Sequence, residues 1–254
     1  IFKIMLFTPL EQFQIISIFS LKLFCLDFSI TNLLLISVIS FASFYFLINC
    51  LLKQTSFFLV PSNWQILIES LYEVIAQLLY DNISNEGEKY LPFISVLFSF
   101  ILIANLIGLI PYSFTITSHL IITFSLSMTV FIGVNIIGFN IYKFKMLSLF
   151  IPSNTSFNLA LLLVPIEFVS YIFKPISLGV RLFANLMAGH TLLKVIVGFS
   201  WSMLLLDDLL FCAHLIPLIV LIILMGLELA VAIIQAYVFT ILTCIYLNDS
   251  INLH

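Results

Sequence analysis

The chain has 254 residues, 63% of them hydrophobic and 8% charged, with a formal net charge of −3 at pH 7. Soluble domains carry roughly 25% charged and 45–50% apolar residues, so this composition excludes a soluble globular fold and reads as an integral membrane protein. So little charge leaves no phosphate-binding surface, so no nucleic-acid partner is expected and the lipid bilayer is the expected surrounding.

Ile1 stands first, so a short leader is expected to precede it; no Arg-rich transit segment or secretory pattern follows. Cys25, Cys50, Cys212 and Cys244 show no C-x-x-C or metal spacing and lie among apolar neighbours, so they read as small buried hydrophobes. Residues 28–52 carry no charge, enough for a first spanning helix that ends at Lys53. Over 62–80, Ser62 and Gln65 form a capping box, and Gln65, Glu69, Glu73 and Gln77 recur every four residues. One polar stripe on an apolar helix predicts an interfacial amphipathic helix, with the glutamates on a solvated face rather than carrying protons.

Asp81–Lys89 is the most polar stretch and reads as a loop. Residues 90–142 contain no Asp, Glu, Lys or Arg and break at Pro111-Tyr112-Ser113, which predicts a helical hairpin with His119 as an interfacial residue at its turn. Pro152, Ser153 and Asn154 interrupt the next uncharged run, so a helix is expected only over 158–203, with Pro165 and Pro175 kinking or loosening it. Asp207-Asp208 mark a turn, and 209–248 forms the last helix, which carries the single charge Glu228 before Asn248-Asp249. The fold expected is all-α and polytopic: about five membrane helices plus one interfacial helix, in a single membrane domain over 1–254. Lys53, the 81–89 loop, Lys143, Lys145 and the C-terminus fall on one side of five crossings, which should be the matrix or cytoplasm, although Lys3 and Lys22 fall on the other.

Arg181 is the one arginine in the chain, and it lies in the apolar stretch SLGVRLFANLMAGHTLL. A guanidinium stays charged in a protein, and at membrane depth it costs at least about 2.5–3.5 kcal/mol on insertion scales. Asn185, four residues on, shares its helix face, where Ser177, Ala184 and Ala188 add little bulk and let another helix come close. A snorkelling arginine explains this poorly, because apolar helix extends well beyond Arg181 on both sides. His190 lies about 13 Å further along the axis and roughly on the opposite face. Glu228 and Gln235 are seven apart and share a face of the last helix. A Glu and a His on consecutive antiparallel helices are best explained as one titratable pair lining a wet passage. Glu167 falls near the face of Arg181 but about 21 Å away, so titratable groups flank a fixed positive charge. Lys174 and Lys194 read as lysines that reach for the interface.

SLGVRLFANLMAGHTLLK and GLELAVAIIQAYVFTILTCIYLNDSINLH, together with PLEQF and IPYSFTITSH, resemble the a subunits of F-type ATP synthases over nearly the whole chain. The family pattern of an Arg with Asn four later, and a Gln in the last helix, falls on Arg181, Asn185 and Gln235. Many bacterial members carry Glu and then His where this chain has His190 and Glu228; the exchanged pair is similar to the mitochondrial arrangement. The resemblance implies a proton-translocating stator beside a rotor ring of hairpin proteolipid subunits, with peripheral-stalk and other membrane-sector subunits as partners. It also implies that the last two helices lie steeply tilted against that ring. Two half-channels would reach the ring, His190 and Glu228 lining one and Glu167 the other, with Arg181 between them. No nucleotide site, no catalytic residue and no cofactor of its own are implied. Some relatives have a second His four after the position of His190; here that position is Lys194, so no metal is expected. The mitochondrial inner membrane is the expected location, with a bacterial plasma membrane as the alternative.

Three other readings compete. A secondary proton-coupled transporter should show repeat symmetry and broken midplane helices, and the sequence has neither. A haem-carrying subunit would need paired axial histidines, and His119, His190, His214 and His254 offer no such spacing. A purely structural membrane subunit leaves Arg181 unexplained.

Overall fold

In a bilayer every backbone N–H and C=O must find its partner within the protein, so long apolar runs fold as helices. The computed structural model describes residues 13–20, 22–23, 26–53, 63–110, 113–143, 145–146, 157–204 and 215–252. Six α-helices are described: α1 Asn32–Lys53, α2 Asn63–Ile83, α3 Leu91–Gly108, α4 Leu120–Tyr142, α5 Phe157–Leu204 and α6 Leu215–Ile251. Among the described residues, α3, α4, α5 and α6 are long and apolar enough to cross a membrane, while α1 contains a shorter apolar helix, Asn32–Ser43. Helix α5 is continuous through Pro165 and Pro175. The fold is thus all-helical, with its last two helices the longest.

Two features depart from the composition. Asp81–Ile83 complete α2, and Ser84–Tyr90 continue as a 3₁₀-helix instead of a loop. Packing overrides polarity here: Ile83 is buried, and a Cβ on Gly87 would meet Leu79 Cδ2 at 2.1 Å, so glycine lets the turn close on α2 without displacing Leu79. Before α1, four very short strands pair as two antiparallel ribbons, Ser17–Phe19 (β1) with Ile30–Thr31 (β4), and Lys22–Leu23 (β2) with Leu26–Asp27 (β3). The Asp207-Asp208 turn, Ser62, Cys25 and Cys212 lie outside the described residues. Cys244 is a buried free thiol.

The chain gathers into two compact units, with segments of α1, α3, α5 and α6 in each. The first holds residues up to Leu47, Phe100–His119 and Leu182–Ala236. Its core includes Ile101, Ala104, Leu182, Leu186, Ala232 and Ala236. The buried Asn105 of α3 donates from Nδ2 to the Ala232 carbonyl of α6 at 3.2 Å. The turn before α4 is tied by Ser113 Oγ to the Ile107 carbonyl at 2.7 Å, and Phe114 stacks on His119 at 5.0 Å. Burial lowers the His119 pKa below the ordinary histidine value, because a charged imidazolium there would lose hydration.

The second unit holds Ile48–Ser99, Leu120–Arg181 and the chain from Tyr237 onward. Leu79, Ile94, Val134, Leu178, Phe239 and Leu247 are buried in it. Gly179 brings α5 against α4 so closely that a Cβ would lie 3.1 Å from both Phe124 Cα and the Thr123 carbonyl oxygen. In the same unit Lys174 Nζ pairs with Asp249 Oδ2 at 3.1 Å and stands 5.4 Å and 5.0 Å from the ring centres of Tyr171 and Tyr246. The Tyr171 hydroxyl donates to Asn135 Oδ1. Lys174 is therefore held between α5 and the end of α6.

Candidate proton-transfer site

In the first unit, α5 and α6 bring His190 and Glu228 together: Nδ1 and Oε1 are 3.3 Å apart, with side chains 10% and 6% exposed. The pair is at hydrogen-bond distance without hydrogen-bond alignment. Among the described residues, neither Glu228 Oε1 nor His190 Nε2 has a hydrogen-bond partner. Buried polar atoms left in that state cost free energy, so their retention needs a reason. His190 and Glu228 both line a cavity of about 470 Å³, whose other walls include Leu109, Leu193, Lys194, Leu221 and Met225. A space of that volume has room for water beside the two residues, while Nε2 and Oε1 themselves are covered by protein.

Glu228 reaches this position across Gly189. A Cβ on Gly189 would sit 3.0 Å from Glu228 Oε1 and 3.3 Å from its Cδ. The absence of a side chain at residue 189 is what allows the carboxylate to approach the imidazole.

On the same two helices, Asn185 Nδ2 donates to Gln235 Oε1 at 2.9 Å. Gln235 is buried and Asn185 is exposed. Arg181 and Glu167 belong to the second unit, and both are exposed. Ser177, Arg181, Ala184, Asn185 and Ala188 are all exposed, so α5 offers a charged residue flanked by small ones to whatever packs there. The sequence groups six candidates; the structure brings four of them into two direct pairs, His190 with Glu228 and Asn185 with Gln235. Lys194 lines the cavity, with Nζ 5.9 Å from the centre of the Phe13 ring.

Two contributors escape the sequence. Gly189 carries no signal beyond its small size, and Phe13 lies far from the other residues in the chain. The signal that could find Phe13 is the PLEQF match, which ends on it.

Chemically, an imidazole can take a proton on one nitrogen and give one from the other, and a carboxylate can hold or release one. Within one hydrogen-bond length of each other, the two are groups between which a proton can pass. An arginine can do none of this at any accessible pH, but it can hold a carboxylate in its ionised form.

A family model described as "ATP synthase A chain" matches residues 32–248. Among curated relatives, an "ATP synthase subunit a" of Pylaiella littoralis is 57% identical over 97% of this chain and 99% of its own length. That of Chondrus crispus is 50% identical over 97% of both chains, and that of Oenothera berteroana is 46% identical over 97% of this chain and 90% of its own. With four spanning-length helices and a buried His–Glu pair beside a cavity, the chain belongs to the ATP synthase A chain family, the multi-pass, proton-translocating stator subunits of the enzyme's membrane sector.

Proposed function

We propose that His190 and Glu228 form the proton relay of a half-channel open to the intermembrane space, that Glu167 serves a second half-channel from the matrix, and that Arg181 controls exchange with a rotor ring. The ring would be made of hairpin proteolipids, each with one carboxylate, and the membrane would be the mitochondrial inner membrane. As an ATP synthase subunit, the chain works with the other subunits of that complex. The observation that carries the reading is the 3.3 Å His190–Glu228 pair on the wall of the cavity. The exchanged order of His and Glu, similar to the mitochondrial arrangement, supports the location.

In this mechanism a proton enters the cavity and passes through the pair. The Asn185–Gln235 amides neither take up nor release a proton but orient what lies next to them. A ring carboxylate that arrives ionised is attracted by Arg181; once protonated it is released and moves into lipid. Each proton delivers about 2.3 kcal/mol per 100 mV of membrane potential. Because Arg181 cannot pass a proton, the two half-channels communicate only through the moving ring. Steeply tilted α5 and α6, lying along the ring, would give both half-channels access to it.

Arg181→Lys and Arg181→Ala in the assembled complex test this reading. An ammonium lacks the planar fork and deprotonates when desolvated, so Arg181→Lys should abolish proton-driven ATP synthesis. Arg181→Ala should also abolish synthesis and add a passive proton leak. Near-normal synthesis from an imposed gradient in either variant would overturn the assignment.

A further inference from the structure

From Leu215 to Leu227, α6 has no buried residue; its buried face begins at Glu228. From there three successive turns each make a polar link within the first unit. Glu228 Oε1 stands 3.3 Å from His190 Nδ1, the Ala232 carbonyl accepts from Asn105 Nδ2 at 3.2 Å, and Gln235 Oε1 accepts from Asn185 Nδ2 at 2.9 Å. Spacings of four and three residues put Glu228, Ala232 and Gln235 on one face. The outer two links join side chains of α5 and α6. The middle one differs in kind, because it runs from α3 to the backbone of α6.

A side-chain pair can follow a shifted helix by changing rotamer, whereas a backbone carbonyl moves only with its helix. The Asn105 bond therefore holds α6 itself, one turn from Glu228 and about 6 Å from it along the axis. Asn105 is 0% exposed, so water offers its amide no alternative partner. Ala232 and Ala236, both buried, add little bulk on this side of α6 and let α3 come near. Packing alone does not account for an asparagine here. Its Oδ1 is buried with no hydrogen-bond partner among the described residues, a cost that a leucine would not carry. What the asparagine adds is a donor.

We propose that Asn105 is a positioning residue for proton transfer, whose amide grips the Ala232 carbonyl and so sets the depth and rotation of α6 that keep Glu228 level with His190. The inference rests on the assignment of His190 and Glu228 as the proton relay.

The test uses membranes that carry the whole complex and measures ATP synthesis from a fixed imposed proton gradient over a range of pH, normalised to assembled complex on native gels. Asn105→Leu fills similar space without a donor. If α6 then drifts by half an ångström, synthesis should fall roughly tenfold. Asn105→Asp keeps the size, but its carboxyl donates to the Ala232 carbonyl only when protonated, a form that burial favours. At the acidic end of the range it should run within about twofold of the parent, and at the alkaline end it should fall toward the level of Asn105→Leu. Taking the ratio to the parent at each pH removes the titration of His190, Glu228 and Lys194, which α5 and α6 bring to the site. A merely space-filling role gives a ratio that does not recover in acid. Full synthesis in Asn105→Leu, or an Asn105→Asp complex as slow as Asn105→Leu at every pH, would overturn the proposal. If Asn105→Leu assembles poorly, Asn105→Asp alone carries the decision. Glu228→Gln separates the two levels. If it leaves synthesis intact, the relay assignment falls; if it stops synthesis while Asn105→Leu runs at full rate, only the role of Asn105 falls.

Discussion

Replacing Gly189 with alanine should slow proton translocation while making the helix more stable, an unusual combination of signs. Alanine in place of glycine inside a helix is worth up to about 1 kcal/mol through backbone entropy, so the complex should assemble at least as well as the parent. The added Cβ, however, would stand 3.0 Å from Glu228 Oε1, whereas ordinary contact begins near 3.4 Å. Backbone on α5 cannot yield easily, so the carboxylate retreats by about 0.4 Å, and the 3.3 Å His190–Glu228 separation opens beyond hydrogen-bond reach. A 1 Å misplacement of reacting groups can cost about 10²-fold, and scaled to this shift the loss is about sixfold. The assay is initial-rate ATP synthesis from an imposed proton gradient, normalised to assembled complex. Gly189→Val, with a larger side chain, should be slower still. A Gly189→Ala complex that synthesises ATP at the parent rate would refute the claim that this glycine sets the His190–Glu228 distance.

The remaining predictions concern the pair and the topology. His190→Glu or Glu228→His alone should cut proton flux, and the double exchange should recover part of it, since the pair keeps one carboxylate and one imidazole; a double variant no better than the worse single would count against a shared relay. Cysteines placed at Leu120 and Lys145, near opposite ends of α4, should react with an impermeant thiol reagent from opposite sides of the membrane, and equal labelling from one side would sink the five-crossing topology.

The all-helical fold was legible because apolar runs in a membrane have few other outcomes, and α3, α4, α5 and α6 follow from them. The region around residues 81–90 was not, because its polarity points to a loop while the buried Ile83 and the close approach of Gly87 to Leu79 decide for helix and 3₁₀ turn. His190 and Glu228 stood out as rare titratable groups in apolar helices, and their pairing could be inferred from the antiparallel order of α5 and α6. The roles of Gly189, Phe13 and the Lys174–Asp249 pair could not. Each depends on a tertiary distance, and neither hydrophobic period nor charge pattern encodes which residues of two helices lie level with each other. Asn185 with Gln235 is the same case: each had a helix face, but only the packing of α5 on α6 makes them partners.

Gly179 has a consequence for how this family can vary. Its close contact with the backbone of α4 admits a side chain only if the helices move apart, so the register of α5 along α4 is favoured at this glycine in that unit. A slide of one position would bring Leu178 or Val180 into a space that admits a side chain only by that movement. Arg181 follows two residues later in the same unit, so its depth along α4 is set by this steric stop and not by its own charge. Single-residue insertions or deletions between Gly179 and Arg181 should therefore be far less tolerated than substitutions on the lipid-facing side of α5, because they would rotate the arginine by about 100° and shift it by 1.5 Å relative to a fixed anchor.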